Sequence, residues 1–333
     1  MTGIDREKLK RLEVTFELNF RLTRLYATYL EHFPELITEE MISTLKDGTD
    51  LSSKEAIVAI LCEAFGLDMD NGSLERRFIR EYVTPSARIL DAKRYTENPY
   101  YKNIRIDNVT DGSWSLKRES YPPYRAVICD DMMLLSGFSE IAPIGFFEQE
   151  FRFPAVLEDG NEWMTLTPVD LDTSEEAISA ARGRVITFGL GLGYYAYMAS
   201  MKSEVDSVTV VEKSPDVIRL FKKHILPQFP NSDKIRIIEA DAFEYAEEVM
   251  PNECYDLAFV DTWRDASDGV PMYERMKALE KLSPNTEFMY WIEGFLRSRL
   301  RAMKFVEILE KIESGSPDAP DSYDEVEKTL NSI

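Results

Sequence analysis

A glycine-rich segment, Gly189 to Gly193, is the first place in this sequence where chemistry is expected. Residues 184–188 (Arg-Val-Ile-Thr-Phe) form a short apolar run, and Gly189, Gly191 and Gly193 follow at alternate positions. Because glycine has no Cβ, the backbone can turn sharply there and approach a ligand closely. A helix that starts after such a turn presents free N–H groups, which favour carboxylate or other anionic groups. The segment predicts a ligand-binding loop between a strand and a helix.

The same segment leaves the kind of ligand open. Gly191, Gly193 and Ala196 also satisfy the spacing of the dinucleotide-binding fingerprint. An NAD-type ligand is therefore one alternative at this point.

Acidic residues stand at the ends of the next three apolar runs. Glu212 comes 19 residues after Gly193, Asp241 and Ala242 follow the run at 235–238, and Asp261 follows the run at 257–260. Ligands of open α/β sheets bind outside the carboxyl ends of the strands. An acid at the position of Glu212 can accept hydrogen bonds from two ribose hydroxyls, as in both NAD and S-adenosylmethionine sites, and an acid at the position of Asp241 can accept one from an adenine amino group. These side chains should face one cleft.

Strands and helices alternate around these residues, which predicts βαβ units with a parallel sheet. Strands are expected at 184–188, 208–211, 235–238, 257–260 and 287–292, and helices at 194–202, 215–224, 243–249, 273–282 and 295–312. A β-hairpin is expected within 149–166, where Glu158-Asp159-Gly160-Asn161 supplies the turn. The fold class is α/β: a Rossmann-like, mostly parallel sheet with flanking helices, preceded by the hairpin and an α-helical N-terminal domain.

The remaining segments complete the predicted organisation. The N-terminal part is helical by its apolar spacing, and Ser52 and Glu55 form a capping box. Residues 95–123 are interpreted as an extended loop. The predicted domains are a helical domain (1–120), a linker and hairpin region (121–175), a Rossmann-like domain (176–313), and a linker with a short C-terminal helix (314–333).

Composition narrows the functions further. The net charge of −21 disfavours nucleic acid as a partner. No apolar run approaches the roughly 18 residues of a membrane span, so no membrane partner and a cytoplasmic location are expected. Three scattered cysteines and two histidines show no metal-ligand spacing, so no metal site is expected.

A family resemblance follows from these motifs together. The set Gly189-Leu190-Gly191-Leu192-Gly193, Glu212, Asp241-Ala242 and Asp261 resembles the class I S-adenosylmethionine-dependent methyltransferases, and within them the spermidine-synthase-like branch. The resemblance covers roughly residues 149–295. It implies that Gly189, Gly191 and Gly193 surround the methionine part of the donor, that Glu212 binds ribose, that Asp241 and Ala242 hold adenine, and that Asp261 faces the transfer centre.

Neighbouring residues are added to this predicted site. Tyr194 and Lys213, which directly follow Gly193 and Glu212, are assigned to the donor site. Trp163 and Trp263 are assigned to the substrate because aromatic rings attract a sulfonium or ammonium cation.

The expected function is methyl transfer from S-adenosylmethionine to a small-molecule amine or hydroxyl. The glycine loop lacks the acid found in spermidine synthases, which favours methyl transfer over aminopropyl transfer. An aminopropyltransferase or nicotianamine-like synthase stays open, as does a non-catalytic S-adenosylmethionine-binding protein that works through its helical part. An NAD-linked oxidoreductase is a weaker alternative. A homodimer is possible.

Overall fold

The computed structural model describes residues 5–68, 73–106 and 108–333. The chain forms two compact units, each built from separate segments. The first unit comprises Met1–Leu90, Tyr124–Glu148 and Gly294–Ile333, and the second comprises Asp91–Pro123 and Gln149–Glu293. No described helix has both the length and the apolar character needed to cross a membrane.

The α-helices are α1 (Arg6–His32), α2 (Glu39–Lys46), α3 (Ser53–Ala64), α4 (Ser73–Phe78), α5 (Thr84–Ser86), α6 (Ala92–Thr96), α7 (Pro99–Asn103), α8 (Pro168–Ala180), α9 (Tyr194–Ser200), α10 (Pro215–His224), α11 (Ala242–Glu244), α12 (Ala266–Leu279), α13 (Glu293–Ser314) and α14 (Tyr323–Asn331). Turns of π-helix extend α4 at Ile79–Val83 and α11 at Tyr245–Val249.

The strands are β1 (Ala87–Leu90), β2 (Val109–Asp111), β3 (Trp114–Tyr121), β4 (Ala126–Ile128), β5 (Met133–Leu134), β6 (Glu140–Ile141), β7 (Ile144–Phe147), β8 (Phe151–Glu158), β9 (Asn161–Thr165), β10 (Gly183–Phe188), β11 (Val205–Glu212), β12 (Ile235–Glu239), β13 (Leu257–Val260) and β14 (Glu287–Tyr290).

The first unit packs helices around a small sheet. Leu18, Leu22, Tyr26 and Tyr29 recur on one face of α1 and are buried, because three- and four-residue steps keep side chains on one side of a helix. The predicted capping box of Ser52 and Glu55 is confirmed at the start of α3. The sheet has the order β1-β7-β4. The first unit therefore contains strands as well as the expected helices.

A buried ion pair ties α13 to β6 within the first unit. The Arg301 guanidinium donates to Glu140 Oε1 at 2.6 and 2.7 Å, and both side chains are almost fully buried. The Ser298 hydroxyl donates to the other oxygen of Glu140 at 2.5 Å. A buried pair of this kind fixes one arrangement of its elements, because removing either partner leaves a buried charge unpaired.

The second unit contains the predicted parallel sheet. Its order is β12-β11-β10-β13-β14, and all its described pairings are parallel. The central strands β10 and β13 are apolar runs because helices cover both faces of such a sheet. The five strands expected from the sequence are confirmed to within a few residues, and the Rossmann-like α/β class is confirmed with them.

Two predicted element boundaries in the second unit are wrong, although both elements are present. Helix α12 begins at Ala266, seven residues before the expected start, because the side chain of Asp265 caps it despite Gly269 and Pro271 in its first turns. The last strand ends at Tyr290, and Ile292 has φ of +46°, outside the β region.

The prediction of an extended loop at 95–123 is also wrong. Helices α6 and α7 and strands β2 and β3 occupy this segment, and β3 pairs along its whole length with β8. Strand β3 buries Trp114 and Leu116, but polar residues interrupt its pattern. The conformation of β3 is therefore decided by long-range pairing in the antiparallel sheet β2-β3-β8-β9. The predicted hairpin is part of this sheet.

Candidate functional site

A cleft of about 600 Å³ opens at the carboxyl ends of the parallel strands. Strand β10 lies between β11 and β13 in the sheet. The chain adds β11 and β12 on one side of β10 and then crosses over to add β13 and β14 on the other side. Open α/β sheets bind ligands at such a switch point. The cleft is lined there by the glycine loop, by the ends of β11 and β13 and by the start of α11, and further by β9 and α8.

Most of the predicted site residues line this cleft. They are Gly189, Gly191, Glu212, Lys213, Asp241, Ala242, Asp261, Trp163 and Trp263. Gly193 is not among its lining residues, and Tyr194 lines a smaller cavity of about 20 Å³ beside it. The structure thus brings nine of the predicted residues to one place, while their roles stay predictions.

Glycine is favoured at the three positions of the loop for different structural reasons. Gly189 has φ of +101°, and a Cβ there would collide with the backbone carbonyl of Asp261. At Gly191, with φ of +49°, a Cβ would collide with the thioether of Met164. Gly193 packs against the ring of Phe221 and precedes α9. Gly189 and Gly191 line the cleft, and their missing Cβ atoms let Asp261 and Met164 pack against the loop.

The N–H groups of the loop are largely engaged within the protein. Leu190 N–H donates to Glu212 Oε2 at 3.1 Å, and Leu192 N–H donates to Met164 Sδ at 3.2 Å. Gly189 and Gly193 N–H groups donate to backbone carbonyls. These four loop N–H groups are therefore engaged within the protein, whereas the N–H groups predicted to bind an anion are those at the start of α9, from Tyr194 onward.

Glu212 stands at the end of β11 and connects two loops. Besides Leu190, its carboxylate accepts a hydrogen bond from Ser214 N–H at 2.7 Å, through Oε1. Each carboxylate oxygen can accept more than one hydrogen bond, so both keep capacity for a ligand hydroxyl. Glu212 is thus a structural residue of the loop as well as a candidate for ribose.

Asp241 begins α11. Its Oδ1 accepts hydrogen bonds from Phe243 N–H at 2.9 Å and Glu244 N–H at 3.2 Å, as a helix N-cap does. This contact fixes the carboxylate at the rim of the cleft. Its second oxygen, Oδ2, can still accept from a ligand amino group.

Asp261 follows β13 and is the most perturbed carboxyl of the cleft. Burial, together with the negative charges of Asp170 and Glu212, raises its pKa to about 8. Its backbone N–H donates to Phe188 O at 2.8 Å, so strand pairing positions it. A carboxyl held neutral in this way gains most from a cationic ligand, which would favour its ionised form.

Asp170 is a site residue that sequence reasoning missed. It lines the cleft together with Asp261, and burial raises its pKa to about 6. Its Oδ2 accepts hydrogen bonds from the backbone N–H of Thr167 at 2.7 Å and from the Thr167 hydroxyl at 2.9 Å. These contacts cap the start of α8. The Thr167-Pro168-Val169-Asp170 pattern is a helix-start signature and could have placed this carboxyl.

Two polar groups in the lining are buried and lack hydrogen-bond partners among the described residues, namely Thr262 Oγ1 and Trp263 Nε1. Native proteins rarely leave such groups unsatisfied. Trp263 is 5% exposed and stacks against Tyr290 at 6.3 Å between ring centroids.

Trp163, another residue predicted for the site, lies in the cleft beside a positively charged side chain of the protein itself. The guanidinium of Arg264 lies 5.4 Å from the centre of the Trp163 ring. Trp163 also packs edge-on against Trp114 at 5.1 Å. Its position in the cleft is therefore stabilised by packing, with Arg264 held beside it.

Charge in the cleft is dominated by carboxyl groups. Those of the described lining residues are Glu162, Asp170, Glu212, Asp241, Asp261 and Asp268, against the bases Lys213 and Arg264. No cluster of three or more metal-ligating side chains occurs among residues 5–68, 73–106 and 108–333. Such a cleft favours a cation over an anionic ligand.

Comparison with known proteins finds no family by sequence: no protein-family model and no curated protein matches. Among solved structures, the chain is similar to spermidine synthase from Thermotoga maritima, with 15% identity and a TM-score of 0.31; the match covers 46% of this chain and 60% of that one. A spermidine synthase in complex with the transition state analogue AdoDATO matches with 15% identity and a TM-score of 0.31, covering 46% and 59%.

The methyltransferase domain of bacterial CtHen1-C matches with 21% identity and a TM-score of 0.24, covering 31% of this chain and 51% of that one. The chain therefore spans 60% or less of the length of these proteins. At these TM-scores none of them bears on its activity, and the fold class rests on the strand order.

Proposed function

We propose that the second unit is an S-adenosylmethionine-dependent methyltransferase whose acceptor is a small molecule with an amine or hydroxyl group. The observation that carries the proposal is the meeting of Gly189, Gly191, Glu212, Asp241 and Asp261 at one acidic cleft. The bound donor would supply a methyl group on a sulfonium, which needs positioning rather than further activation.

The residues of the cleft fit this donor. Gly189 and Gly191 line the cleft where the methionine part would lie, Glu212 has capacity for ribose hydroxyls, and Asp241 Oδ2 suits an adenine amino group. A volume of about 600 Å³ lies in the range of cofactor sites.

The charge of the cleft argues against NAD. A pyrophosphate carries two negative charges, and two N–H groups of the loop, those of Leu190 and Leu192, already donate to Glu212 and Met164. The surrounding carboxylates would repel it further. A sulfonium cation is favoured by the same surroundings.

Asp261 is the residue we assign to the acceptor. In its ionised form it can orient an amine or hydroxyl and accept the proton that the acceptor loses. Its raised pKa makes the ionised form a strong base, but one that is populated mainly above about pH 8 in the unliganded protein. Cationic ligands in the cleft would lower that pKa.

Aminopropyl transfer is the second candidate, and one observation favours it. Asp170 adds a carboxyl beside Asp261, which would suit an acceptor with two cationic amines. Arg264 favours the first candidate, because its guanidinium contacts the ring of Trp163 and can pair with the carboxylate that intact S-adenosylmethionine retains.

The test is competition between intact and decarboxylated S-adenosylmethionine for the purified protein, followed by mass spectrometry of products from a pool of small amines and hydroxy compounds. We expect tighter binding of the intact donor and products heavier by one methyl group. Tighter binding of the decarboxylated donor, with an aminopropyl group added to a diamine, would replace methyl transfer by the second candidate. An Asp261→Asn variant that forms product at the wild-type rate would remove Asp261 from the reaction.

A further inference from the structure

The glycine loop is supported by a tyrosine that does not itself line the cleft. The Tyr100 hydroxyl donates to the Leu192 carbonyl at 2.6 Å, and both residues are fully buried. The first carbonyl that α9 uses is that of Gly193, which accepts from Tyr197 N–H, so the Leu192 carbonyl lies just before the helical ladder. A buried carbonyl in that position needs a partner from elsewhere. Tyr100 supplies it from a position 92 residues earlier in the chain.

Helix α7 presents this hydroxyl from a fixed position. Asn98 caps the helix, because its Oδ1 accepts a hydrogen bond from Tyr100 N–H at 2.9 Å, and Pro99 lies in the first turn. Both residue types favour a helix start. The Tyr101 hydroxyl donates to the Leu166 carbonyl at 2.5 Å, which attaches α7 to the residue that follows β9.

The same helix also contacts α9. Asn98 Nδ2 donates to the Tyr194 hydroxyl at 3.0 Å, and Asn103 Nδ2 donates to the Tyr197 hydroxyl at 2.8 Å. The ring of Tyr100 packs edge-on against both of these tyrosine rings, with 5.7 and 5.4 Å between centroids. Helix α7 therefore fixes the start of α9 together with the end of the glycine loop.

Leu192 is held at both of its peptide groups. Its N–H donates to Met164 Sδ, and its carbonyl accepts from Tyr100. Met164 and Gly191, which directly precedes Leu192, both line the cleft. Without the Tyr100 hydroxyl the Leu192 carbonyl would be buried and unpaired, a state that is costly enough for the loop to rotate toward another donor. Such a rotation would displace Gly191 in the cleft.

We propose that Tyr100 is a positioning residue: its hydrogen bond to Leu192 holds the glycine loop in the shape that binds the donor. Without this bond, the binding shape is present in a smaller fraction of the molecules, and the apparent affinity for the donor falls by that fraction. The link to the donor rests on the proposed function, whereas the effect on the loop does not.

The test compares Tyr100→Phe with Tyr255→Phe. Tyr255 is a matched control because it is 4% exposed and its hydroxyl is hydrogen-bonded to that of Tyr245 at 3.0 Å. It precedes β13, at the end of the strand away from the cleft. The measurements are hydrogen exchange of the unliganded protein by mass spectrometry, urea unfolding, and calorimetric titration with S-adenosylmethionine.

Tyr100→Phe should speed hydrogen exchange in segment 189–193 and weaken S-adenosylmethionine binding, each by about tenfold, because a buried carbonyl loses its partner. Tyr255→Phe should change neither, while urea unfolding should show comparable losses of stability in the two variants. Loop exchange in Tyr100→Phe that matches the control would overturn the proposal, and so would faster loop exchange with unchanged donor affinity. If the wild type does not bind S-adenosylmethionine, the proposed function is wrong, and loop exchange still decides whether Tyr100 holds the loop.

A second variant, Asn98→Ala, applies if Tyr100→Phe does not fold. Asn98 is partly exposed, and alanine removes both the cap of α7 and the contact with Tyr194. It should also speed exchange in segment 189–193. Asn98→Asp keeps a capping oxygen and can accept from the Tyr194 hydroxyl, so it should restore the wild-type rate. Wild-type loop exchange in Asn98→Ala would overturn the proposal.

Discussion

Replacing Asp261 by asparagine should stabilise the unliganded protein at high pH. Burial raises the pKa of Asp261 from 3.8 to about 8, so the folded protein holds a proton that the unfolded chain releases. Stability then falls with rising pH between these two values, because the native state binds more protons than the unfolded state. Asparagine has nearly the same shape and never ionises, so the variant should escape this loss.

The size of the effect follows from the pKa difference. At about 1.4 kcal/mol per pKa unit, complete ionisation would cost up to about 6 kcal/mol. The cleft admits solvent, and an effective dielectric constant of about 20 reduces such costs. We therefore expect Asp261→Asn to be about 2 kcal/mol more stable than the wild type at pH 9. At pH 4, where the wild-type carboxyl is neutral, the two should differ little.

The assay is urea unfolding of both proteins at pH 4, 7 and 9, without ligand. Asp206→Asn, which changes an exposed carboxyl on β11, is the matched control and should show no such dependence on pH. Equal stability of wild type and Asp261→Asn at pH 9, or a less stable variant there, would refute the account of Asp261 as a buried carboxyl kept neutral by its surroundings.

Three further predictions concern the loop and the donor. Glu212→Ala should weaken donor binding at least about tenfold and also lower the melting temperature without ligand, because two backbone N–H groups lose their acceptor; an unchanged melting temperature would contradict the structural part. Gly189→Ala should destabilise the protein in urea unfolding by more than the roughly 1–2 kcal/mol that a positive φ alone costs. Gly160→Ala measures that cost by itself, because Gly160 also has a positive φ and nothing lies near its Cβ position. Equal losses of stability in the two variants would exclude the clash with Asp261. Arg264→Met should reduce the preference for intact over decarboxylated donor in calorimetry, and an unchanged preference would exclude Arg264 as the carboxylate partner.

The parallel sheet could be predicted because each of its strands can be identified from its own short stretch of sequence. β10 and β13 are short apolar runs, since both faces of the sheet are covered, and each is followed by a residue that reaches the cleft. The positions of Gly189, Glu212, Asp241 and Asp261 follow from those strands. The local sequence was sufficient to predict these strands because burial of each short apolar run decides its conformation.

Other features depend on contacts that are distant along the chain. Strand β3 has a mixed polar pattern and is fixed by pairing with β8, some 40 residues later. The sulfur of Met164 accepts a hydrogen bond from the Leu192 N–H in the glycine loop. The effect of Asp170 on the pKa of Asp261 arises only because the start of α8 and the end of β13 line the same cleft. None of these appears in a local pattern, although the helix-start signature at Thr167 could have indicated Asp170.

The central claim is that the acidic cleft binds S-adenosylmethionine. Isothermal titration calorimetry of the purified protein with S-adenosylmethionine, its demethylated product and NAD tests this claim most directly. We predict saturable binding of the first two at one site per chain, and binding of NAD that is weaker by at least about tenfold, because carboxylates surround the site and the loop N–H groups are engaged. Tighter binding of NAD, or no binding of S-adenosylmethionine by the folded protein, would contradict the claim.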